Sequence, residues 1–386
     1  MVDIGIFMTV SDFEEYLRQG EPSQQDKINA WQTAIGLQSV DGLSPSQYLL
    51  DTARKHIDGD ISIDEVRDLI KSYYQSKSSR DLKFSETEEA DKASANIAKI
   101  LGENTFSFSL VGLVSIHQSI FDGIFKFAGK IRDYNITKKE WVLRGDTVLY
   151  VSAPDIKASI EYDLDKEKKF KFSGLSLSDI ANHIARFTAD LWQIHPFGEG
   201  NTRTTAVFII KYLRSLGFKV ENNLFIKNSW YFRNALVRAN YQNLQLQIER
   251  NVEFLERFFQ NLIAGSDFEL KNRYLVINAP KTFLKEEIKG SDQVPIKYRS
   301  STDQVEPNTL ILLKTINTQQ LSLKELMFLI GLKHRPTFLK NYINPAIESG
   351  FVKVLYPEKL NHPRQRYLLT VKGDALLSSL NKRGKL

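Results

Sequence analysis

One short segment of the chain concentrates the residues that could do chemistry. It runs from Ile194 to Thr205 and reads IHPFGEGNTRTT. Two glycines and an asparagine lead into a predicted helix, so free backbone N–H groups and the positive end of the helix dipole would point at one anion. Arg203 adds a planar guanidinium that can hold two phosphate oxygens at once. The segment therefore predicts a phosphate-binding loop.

Two further side chains of this segment indicate what would happen to the phosphate. A carboxylate at Glu199 would repel it unless a Mg²⁺ ion lay between them. His195 is the nearby titratable group whose ordinary pKa suits proton removal near neutral pH. A base, a metal ligand and a phosphate loop within nine residues predict phosphoryl or nucleotidyl transfer. The plain alternative is a histidine that packs beside a turn.

These residues resemble the signature of Fic-domain proteins, His-x-Phe-x-(Asp/Glu)-Gly-Asn-Gly-Arg-x-x-Arg. In this chain it stands as HPFGEGNTRTTA, from His195 to Ala206. The resemblance extends over roughly residues 84–272. Within that range Ile116–Gly129 is similar to a helix of the family, and Ile136–Val148 is similar to its target-docking β-hairpin, called the flap below. The resemblance implies a helical catalytic core that carries this flap.

The resemblance also implies an activity. Fic proteins of this kind are protein adenylyltransferases, which move AMP from ATP to a Ser, Thr or Tyr hydroxyl of a target protein. His195 would be the catalytic base, and Glu199 would hold Mg²⁺ against the phosphates of ATP. Ile136 and Thr137 of the flap would align the target segment by strand addition. The residues that the resemblance assigns to the nucleotide are Gly198, Glu199, Gly200, Asn201, Thr202, Arg203, Thr204, Tyr231, Phe232 and Asn240.

Two departures from the signature leave alternatives open. Thr202 replaces the second glycine and adds a Cβ to the anion hole formed by Gly200–Arg203, which is tolerable if its φ is negative. Ala206 replaces the last arginine, which in the family contacts the terminal phosphate and pairs with an inhibitory glutamate. Transfer of another nucleotide or of a bare phosphate therefore stays open. So does a DNA-binding regulator whose Fic core binds nucleotide with weak activity.

The N-terminal part resembles the antitoxin partner of some Fic toxins. That family carries (Ser/Thr)-x-x-x-Glu-(Gly/Asn) on an inhibitory helix. Leu37-x-x-x-Asp41-Gly42 is the better match here, and Ser85-x-x-x-Glu89 is a looser one. We hypothesise that Asp41 is an inhibitory residue, although Ala206 would offer it no partner, so that inhibition is weakened or rewired.

Helices must position the loop, because it joins the helical patterns Leu177–Ile194 and Thr204–Leu216. In the flap, β-like runs at Trp141–Leu143 and Val148–Val151 flank a predicted turn. The predicted fold class is mainly α. The predicted domains are a helical antitoxin-like N-terminal domain at 1–83, a Fic catalytic domain at 84–272, a connector at 273–304 and a winged-helix domain at 305–386.

The C-terminal block predicts a winged helix from its order of elements. A helix, a helix-turn-helix and two strand-like runs at Phe351–Leu355 and Arg366–Thr370 follow one another. Residues 305–386 hold thirteen Lys/Arg and five Asp/Glu, whereas residues 1–83 hold nine and fourteen. A basic module of this kind binds DNA, although winged helices also dock proteins. The residues that could contact DNA are Lys333, Arg335, Lys340, Arg364 and Arg366.

The composition narrows the class of protein. The 386 residues include no cysteine, which excludes disulfides, zinc–thiolate sites and a cysteine nucleophile. No apolar stretch approaches the roughly 18 residues that a membrane span needs, and the acidic start does not read as a signal peptide. We expect a cytoplasmic protein that has no membrane contact, uses ATP and a target protein as partners, and could form a homodimer.

Overall fold

The computed structural model describes residues 23–76, 82–220, 223–277, 307–357, 359, 362–374 and 376–377. Most of the predicted connector, from 278 to 304, lies outside these ranges, as do residues 1–22 of the predicted N-terminal domain. The described chain is mainly helical, as predicted, and its one sheet has two strands. Within the same ranges, no helix is long and apolar enough to cross a membrane.

Ten helices form the larger part of the described chain. They are α1 (Gln24–Gly36), α2 (Gln47–Asp58), α3 (Ile63–Gln75), α4 (Leu82–Gly102), α5 (Leu110–Phe121), α6 (Ile156–Lys168), α7 (Leu177–Ile194), α8 (Asn201–Ser215), α9 (Asn223–Asn240) and α10 (Glu253–Phe259). Short 3₁₀ turns occupy Leu37–Asp41, Trp141–Leu143, Ala153–Asp155 and Asn272–Leu275, and a π turn, Gln260–Ala264, continues α10.

Helix α8 lies at the centre of this part. Every residue from Asn201 to Leu213 is buried, because α4, α5, α7 and the turn Leu37–Asp41 all pack against the helix. The phosphate-loop sequence ends at the N-terminus of α8. This helix terminus therefore lies in the interior of the fold.

The N-terminal helices share their hydrophobic core with the catalytic helices. Trp31, Leu49 and Ile70 belong to the same buried cluster as Trp192 and Phe208. Serine N-caps begin α1, α2 and α3, and left-handed glycines follow the turn Leu37–Asp41 and α2. The boundary at residue 83 stays a prediction, since the buried core runs continuously across it.

A buried carboxylate fastens the N-terminal helices to α4. Both carboxylate oxygens of Asp91 accept hydrogen bonds from Ser46, at 2.7 Å from its backbone nitrogen and 2.5 Å from its hydroxyl. The Tyr74 hydroxyl donates to the same carboxylate at 2.7 Å. Burial raises the pKa of Asp91, while the hydrogen bonds from Ser46 and Tyr74 oppose that rise. This contact fixes the start of α2, and with it the turn Leu37–Asp41 that precedes α2.

The predicted β-hairpin of the flap is wrong in its secondary structure. Trp141–Leu143 is a 3₁₀ turn, and residues 131–152 contain no β-strand. The carbonyl of Glu140 accepts from the N–H groups of Leu143 and Gly145, and its N–H donates to the Asp146 carbonyl, so the backbone closes a tight loop at this point without forming strands. Arg144 takes the left-handed conformation at the end of this turn.

A second core organises the C-terminal block. Its helices are α11 (Pro307–Ile316), α12 (Leu323–Ile330) and α13 (Arg335–Phe338), the last continuing through the π turn Leu339–Ile343 into α14 (Asn344–Glu348). Strands β1 (Val352–Val354) and β2 (Tyr367–Leu369) pair antiparallel, and Leu321 forms a bridge to Tyr367. This order of elements agrees with the predicted one, and the winged-helix assignment stays a prediction.

The C-terminal block packs on the end of α8. Gly217 and Gly350 approach so closely that a Cβ on either residue would collide with the other's carbonyl oxygen. The backbone N–H of Lys372 donates to the carbonyl of Leu216 at 3.3 Å. Both contacts lie at the end of α8 that is far from the phosphate-loop sequence.

We expect Asp91→Ala to lower the free energy of unfolding by about 2–4 kcal/mol, since it leaves buried donors of Ser46 and Tyr74 without an acceptor. The exposed Asp58 supplies the control, Asp58→Ala, which should change it by less than about 0.5 kcal/mol. Urea unfolding followed by circular dichroism measures both. Equal midpoints for the two variants would contradict the anchoring role of Asp91.

Candidate active site

The segment between α7 and α8 is built from two left-handed residues. His195 ends α7 with φ of 51°, and Gly200 precedes α8 with φ of 77°. A Cβ at Gly200 would overlap the ring of Phe121, so only glycine fits this position. No side chain caps α8 among the described residues. Its first backbone N–H groups are therefore left for another acceptor, as an anion site requires.

The side chains of the loop hold its shape from inside. Asn201 accepts from the Phe197 N–H at 2.9 Å and donates to the Phe197 carbonyl at 2.7 Å. The Phe197 ring stacks on the imidazole of His117, with centroids 3.7 Å apart. Asn201 and Phe197 thus shape the loop, and Asn201 directs its side chain to the loop backbone.

His117 ties this loop to helix α5. Its Nδ1 accepts from the Gly129 N–H at 2.9 Å, which leaves the proton on Nε2 to donate to the Glu199 carbonyl at 3.1 Å. Burial lowers the pKa of His117 to about 4, so the ring is neutral at physiological pH. Both ring nitrogens are thus engaged with the backbone, which gives His117 a structural role.

His195 is held in the opposite tautomer. Its Nδ1 lies 3.2 Å from the Trp192 carbonyl, which can only accept, so Nδ1 carries the proton. Its Nε2 has no hydrogen-bond partner among the described residues and can act as a base. Burial, and then the positive charge of Lys138, hold the pKa of His195 well below its usual value of 6.5. The ring is 2% exposed and is covered by Tyr150, whose ring centroid lies 4.2 Å away.

Arg132 is a positioning residue that sequence reasoning missed. Its buried guanidinium donates to four backbone carbonyls, those of His195 at 2.8 Å, Ile194 at 3.3 Å, Tyr134 at 2.6 Å and Val151 at 2.5 Å. The Arg132 side chain thereby connects Tyr134 and Val151, on the two sides of the flap, to Ile194 and His195 at the start of the loop. The sequence around Arg132 gave no signal for this role beyond the positive charge of the arginine.

A second buried ion pair lies under the flap. Glu140 is fully buried and lies 2.9 Å from the guanidinium of Arg233 on α9. The Tyr150 hydroxyl donates to the same carboxylate at 3.4 Å. Burial raises the pKa of Glu140, while the positive charges of Arg233 and Lys138 oppose the rise. Since Tyr150 also covers His195, this pair fixes the wall next to the imidazole.

A cavity of about 550 Å³ lies beside the loop, and we call it the Arg203 cavity. Glu199 and Lys138 lie on its wall with their side chains 2.9 Å apart in an ion pair. Trp230 and Arg233 supply the wall from α9. Neither His195 nor Tyr150, whose ring contacts the imidazole, lines this cavity. The remaining lining residues are Val40, Asp41, Gly42, Leu43, Glu86, Glu89, Phe125, Lys139, Trp141 and Arg203.

The guanidinium of Arg203 is enclosed by three side chains from the N-terminal half. Glu89 accepts from its Nη2 at 2.6 Å, and Gln38 accepts from its Nη1 at 3.0 Å. Asp41 lies 2.8 Å from its Nε, close enough for an ion pair although that N–H is not aligned for a hydrogen bond. The group also lies over the Phe121 ring, 4.7 Å from the centroid. The sequence-predicted Asp41 therefore meets Arg203, and Ala206 is fully buried elsewhere on α8.

Three of the residues assigned to the nucleotide lie in the buried core and not on the wall of this cavity, and their assignment stays a prediction. Tyr231 and Phe232 are buried in the core, where the Tyr231 hydroxyl donates to the Phe254 carbonyl at 3.1 Å. Asn240 is also buried and donates to the Ala189 carbonyl at 2.9 Å. The helical phase of α9 turns Trp230 and Arg233 toward the cavity instead.

The other predicted site residues lie at the loop or the flap. Thr202 is within α8, and its hydroxyl accepts from Trp192 Nε1 at 3.0 Å, so its side chain points away from the free N–H groups. The Thr204 hydroxyl donates to the Gly200 carbonyl at 2.9 Å. Gly198 faces the Tyr134 hydroxyl, which leaves no room for a Cβ. In the flap, Ile136 is half-buried and Thr137 is exposed.

Two segments of the sequence match known families. Residues 107–213 match the Fic/DOC family. The chain contains a Fic domain. Residues 304–370 match the family described as filamentation induced by cAMP protein Fic-like, C-terminal domain. The Fic match runs from α5 into α8, and it includes Arg132, His195 and Arg203.

A curated relative of the Fic domain is protein adenylyltransferase VbhT of Bartonella schoenbuchensis. It is 28% identical over 123 residues, which are 31% of this chain and 24% of VbhT. The chain thus spans about a quarter of the length of the curated relative it matches.

Solved structures of Fic proteins are also similar to this chain. A Fic family protein from Desulfovibrio desulfuricans G20 has a TM-score of 0.38 and 18% identity, over 95% of this chain and 92% of that one. BepC from Bartonella tribocorum, solved with bound AMPPNP, has a TM-score of 0.37 and 20% identity, over 46% and 88%. At these TM-scores the sequence matches, and not the structural ones, carry the assignment.

The two histidines of the Fic domain should show opposite tautomers. We expect the proton on Nδ1 of His195 and on Nε2 of His117, because their backbone partners differ. Both pKa values should lie below 6.5, with that of His117 at about 4. Long-range ¹H–¹⁵N NMR of the imidazoles between pH 4 and 8 measures both properties. A His195 that titrates at or above pH 6.5, or that protonates Nε2, would contradict the assigned geometry.

Proposed function

We propose that this protein is a nucleotidyltransferase of the Fic type, which transfers AMP from ATP to a Ser, Thr or Tyr hydroxyl of a target protein. The observation that carries the proposal is the loop after α7. It leaves Nε2 of His195 without a partner and leaves the first turn of α8 uncapped, with Glu199 and Arg203 on the wall of one cavity. A base, an anion site and a cavity beside them are the parts that this transfer needs.

The proposed reaction uses each part once. Nε2 of His195 takes the proton of the target hydroxyl, whose oxygen then bonds to the α-phosphorus of ATP. The bond from the α-phosphorus to the bridging oxygen breaks, and pyrophosphate leaves. The N–H groups at the start of α8 stabilise the charge on the α-phosphate oxygens. Since His195 has a lowered pKa, the base is already deprotonated at pH 7.

Mg²⁺ fits this site through a single protein ligand. No group of three His, Asp or Glu side chains able to enclose a metal occurs in the described residues. Glu199 supplies one half-exposed carboxylate on the cavity wall. Magnesium at nucleotide sites is commonly held by one or two carboxylates together with substrate phosphates, so this donor set suits it. The ion would neutralise phosphate charge, and Lys138 would have to leave Glu199.

Two side chains must move before the reaction can occur. Tyr150 covers His195, so the flap region has to shift to admit a hydroxyl. Arg203 is engaged by Asp41 and Glu89, so it has to be released before it can hold phosphates. We therefore propose that the structure is an inhibited state, and that the inhibitory contact is made through Arg203 because position 206 is alanine.

Labelled ATP distinguishes the transfer reactions. With Mg²⁺ and cell lysate as acceptor, label at the α-phosphate should enter protein, whereas label at the γ-phosphate should not. His195→Ala should reduce the transfer by at least about 10³-fold, the scale expected for loss of a general base.

The same assay identifies the competing functions. Entry of γ-label would show phosphoryl transfer, and preference for another of the four nucleoside triphosphates would show a different nucleotidyl group. No transfer to any protein, with or without the inhibitory carboxylates, would favour a regulator that only binds nucleotide.

Removal of the two carboxylates from Arg203 should activate the protein. We expect Asp41→Ala/Glu89→Ala to raise self-modification by about tenfold or more, since a change of about 1.4 kcal/mol in the inhibited state is enough. The control is Asp58→Ala/Glu161→Ala, which removes two exposed carboxylates and should leave the rate unchanged. An unchanged rate in Asp41→Ala/Glu89→Ala would remove any inhibitory role for Asp41 and Glu89.

The proposed setting is the cytoplasm. The proposed partners are ATP, a hydroxyl-bearing target protein and, through the basic C-terminal domain, DNA. Formation of a homodimer stays a prediction, to be tested by light scattering of the purified chain.

A further inference from the structure

We infer that the C-terminal domain binds duplex DNA, with the helix formed by residues 335–348 in the major groove and the loop between β1 and β2 on the backbone. This specifies the DNA contact proposed above and does not depend on the transferase activity. The inference rests on three observations: the outer face of this helix, the basic loop between the strands and the charge of the domain.

The helix divides cleanly into a buried and an exposed face. Phe338, Ile343 and Ala346 are buried against α11 and the sheet. The exposed face presents an aligned set of polar side chains, Thr337, Lys340, Asn341 and Asn344. Its first acidic residue is Glu348, at the last position.

These side chains suit base edges as well as phosphates. Asparagine donates to and accepts from the N7 and N6 positions of adenine, and lysine contacts guanine or phosphate. Asn341 and Asn344 lie about one turn apart, so they would reach neighbouring base pairs. The Thr337 hydroxyl is hydrogen-bonded to Nδ1 of His334, just before the helix, at 2.6 Å. In the described part of the domain, the side chains of Lys340, Asn341 and Asn344 make no hydrogen bond.

The loop between the strands is held in shape by Gln365. Its amide donates to the carbonyl of Tyr356 and accepts from the N–H of Tyr356, each at 2.9 Å. The Tyr356 ring stacks on His362, with centroids 4.0 Å apart. Lys359 and Arg364 lie in this loop and are exposed. The described part of the loop therefore adds two cations to the surface of the domain.

A broad groove lies between α12, with the turn that follows it, and the end of this loop, and the helix contributes Arg335 to it. Its volume is about 1280 Å³, and Lys324, Lys333 and Arg335 lie on its walls. Arg366 also lines the groove, where it neutralises Glu325 at 2.5 Å. Phe328 is 84% exposed at the same place.

Charge decides between a nucleic acid and a protein as the occupant. Residues 307–377 contain ten Lys/Arg and four Asp/Glu, and one of the four, Glu325, is already paired. The domain meets the catalytic part through Gly350 and Lys372, which leaves the helix face and the loop free of that contact. A basic helix face together with a basic loop complements the negatively charged phosphate backbones of a DNA duplex.

Fluorescence anisotropy of the full chain with a labelled 24-base-pair duplex tests the inference. Between 50 and 200 mM salt, the plot of log affinity against log salt should have a slope of several negative units, at about −0.9 for each phosphate contact. Arg335→Gln/Lys340→Gln/Arg364→Gln should weaken binding by at least about tenfold and reduce the slope by about 2–3. Lys55→Gln/Lys71→Gln/Lys157→Gln removes the same charge from exposed positions outside the C-terminal domain and should leave the slope unchanged.

A second variant tests whether the helix contacts the DNA bases. Asn341→Ala/Asn344→Ala should reduce the preference for sequences selected from a random pool by about tenfold, with nonspecific binding preserved. His195→Ala should bind DNA as the natural chain does, so failure of the transferase proposal would not affect this result. No binding of the natural chain at 50 mM salt, equal losses in both charge variants, or equal binding to polyglutamate would each overturn the inference.

Discussion

The structure depends on which groups pair with one buried cation. Arg203 lies at the start of the central helix with 1% of its surface exposed, and an unpaired guanidinium at that depth would be strongly destabilising. Glu89, Asp41 and Gln38 meet this need from the N-terminal half. The same positive charge is what a phosphate at the helix terminus would require. The N-terminal carboxylates and a nucleotide therefore compete for one group.

A second guanidinium imposes a comparable constraint on the base. Arg132 holds carbonyls on both sides of the flap and at His195, so the position of the flap and the position of the imidazole are linked. Tyr150 covers His195 and bonds to Glu140, which pairs with Arg233 on the cavity wall. Movement of the flap would thus change both the access to His195 and the shape of the Arg203 cavity.

Local sequence patterns predicted the helices on both sides of the loop after α7 and the two strands of the C-terminal sheet, because these follow from periodicity and turn residues. Helix α6 had no such prediction. The local patterns failed where long-range packing decides. The flap has a 3₁₀ turn in place of the hairpin, and its Glu140 pairs with Arg233, a residue far along the chain. The helical phase of α9 buries Tyr231 and Phe232 and turns the half-buried Trp230 and Arg233 to the cavity. Arg132 carried no local pattern, since its role is defined by four carbonyls that only the folded chain assembles.

A crystal structure of the Asp41→Ala/Glu89→Ala variant with Mg²⁺ and a non-hydrolysable ATP analogue tests the competition for Arg203 most directly. The account predicts phosphate oxygens within about 3 Å of the N–H groups at the start of α8, with the guanidinium of Arg203 turned to the phosphates. It also predicts that the natural chain, under the same conditions, binds the analogue more weakly and keeps Asp41 and Glu89 on Arg203. Nucleotide bound elsewhere, or phosphates at α8 of the natural chain with the Arg203 contacts unchanged, would contradict it.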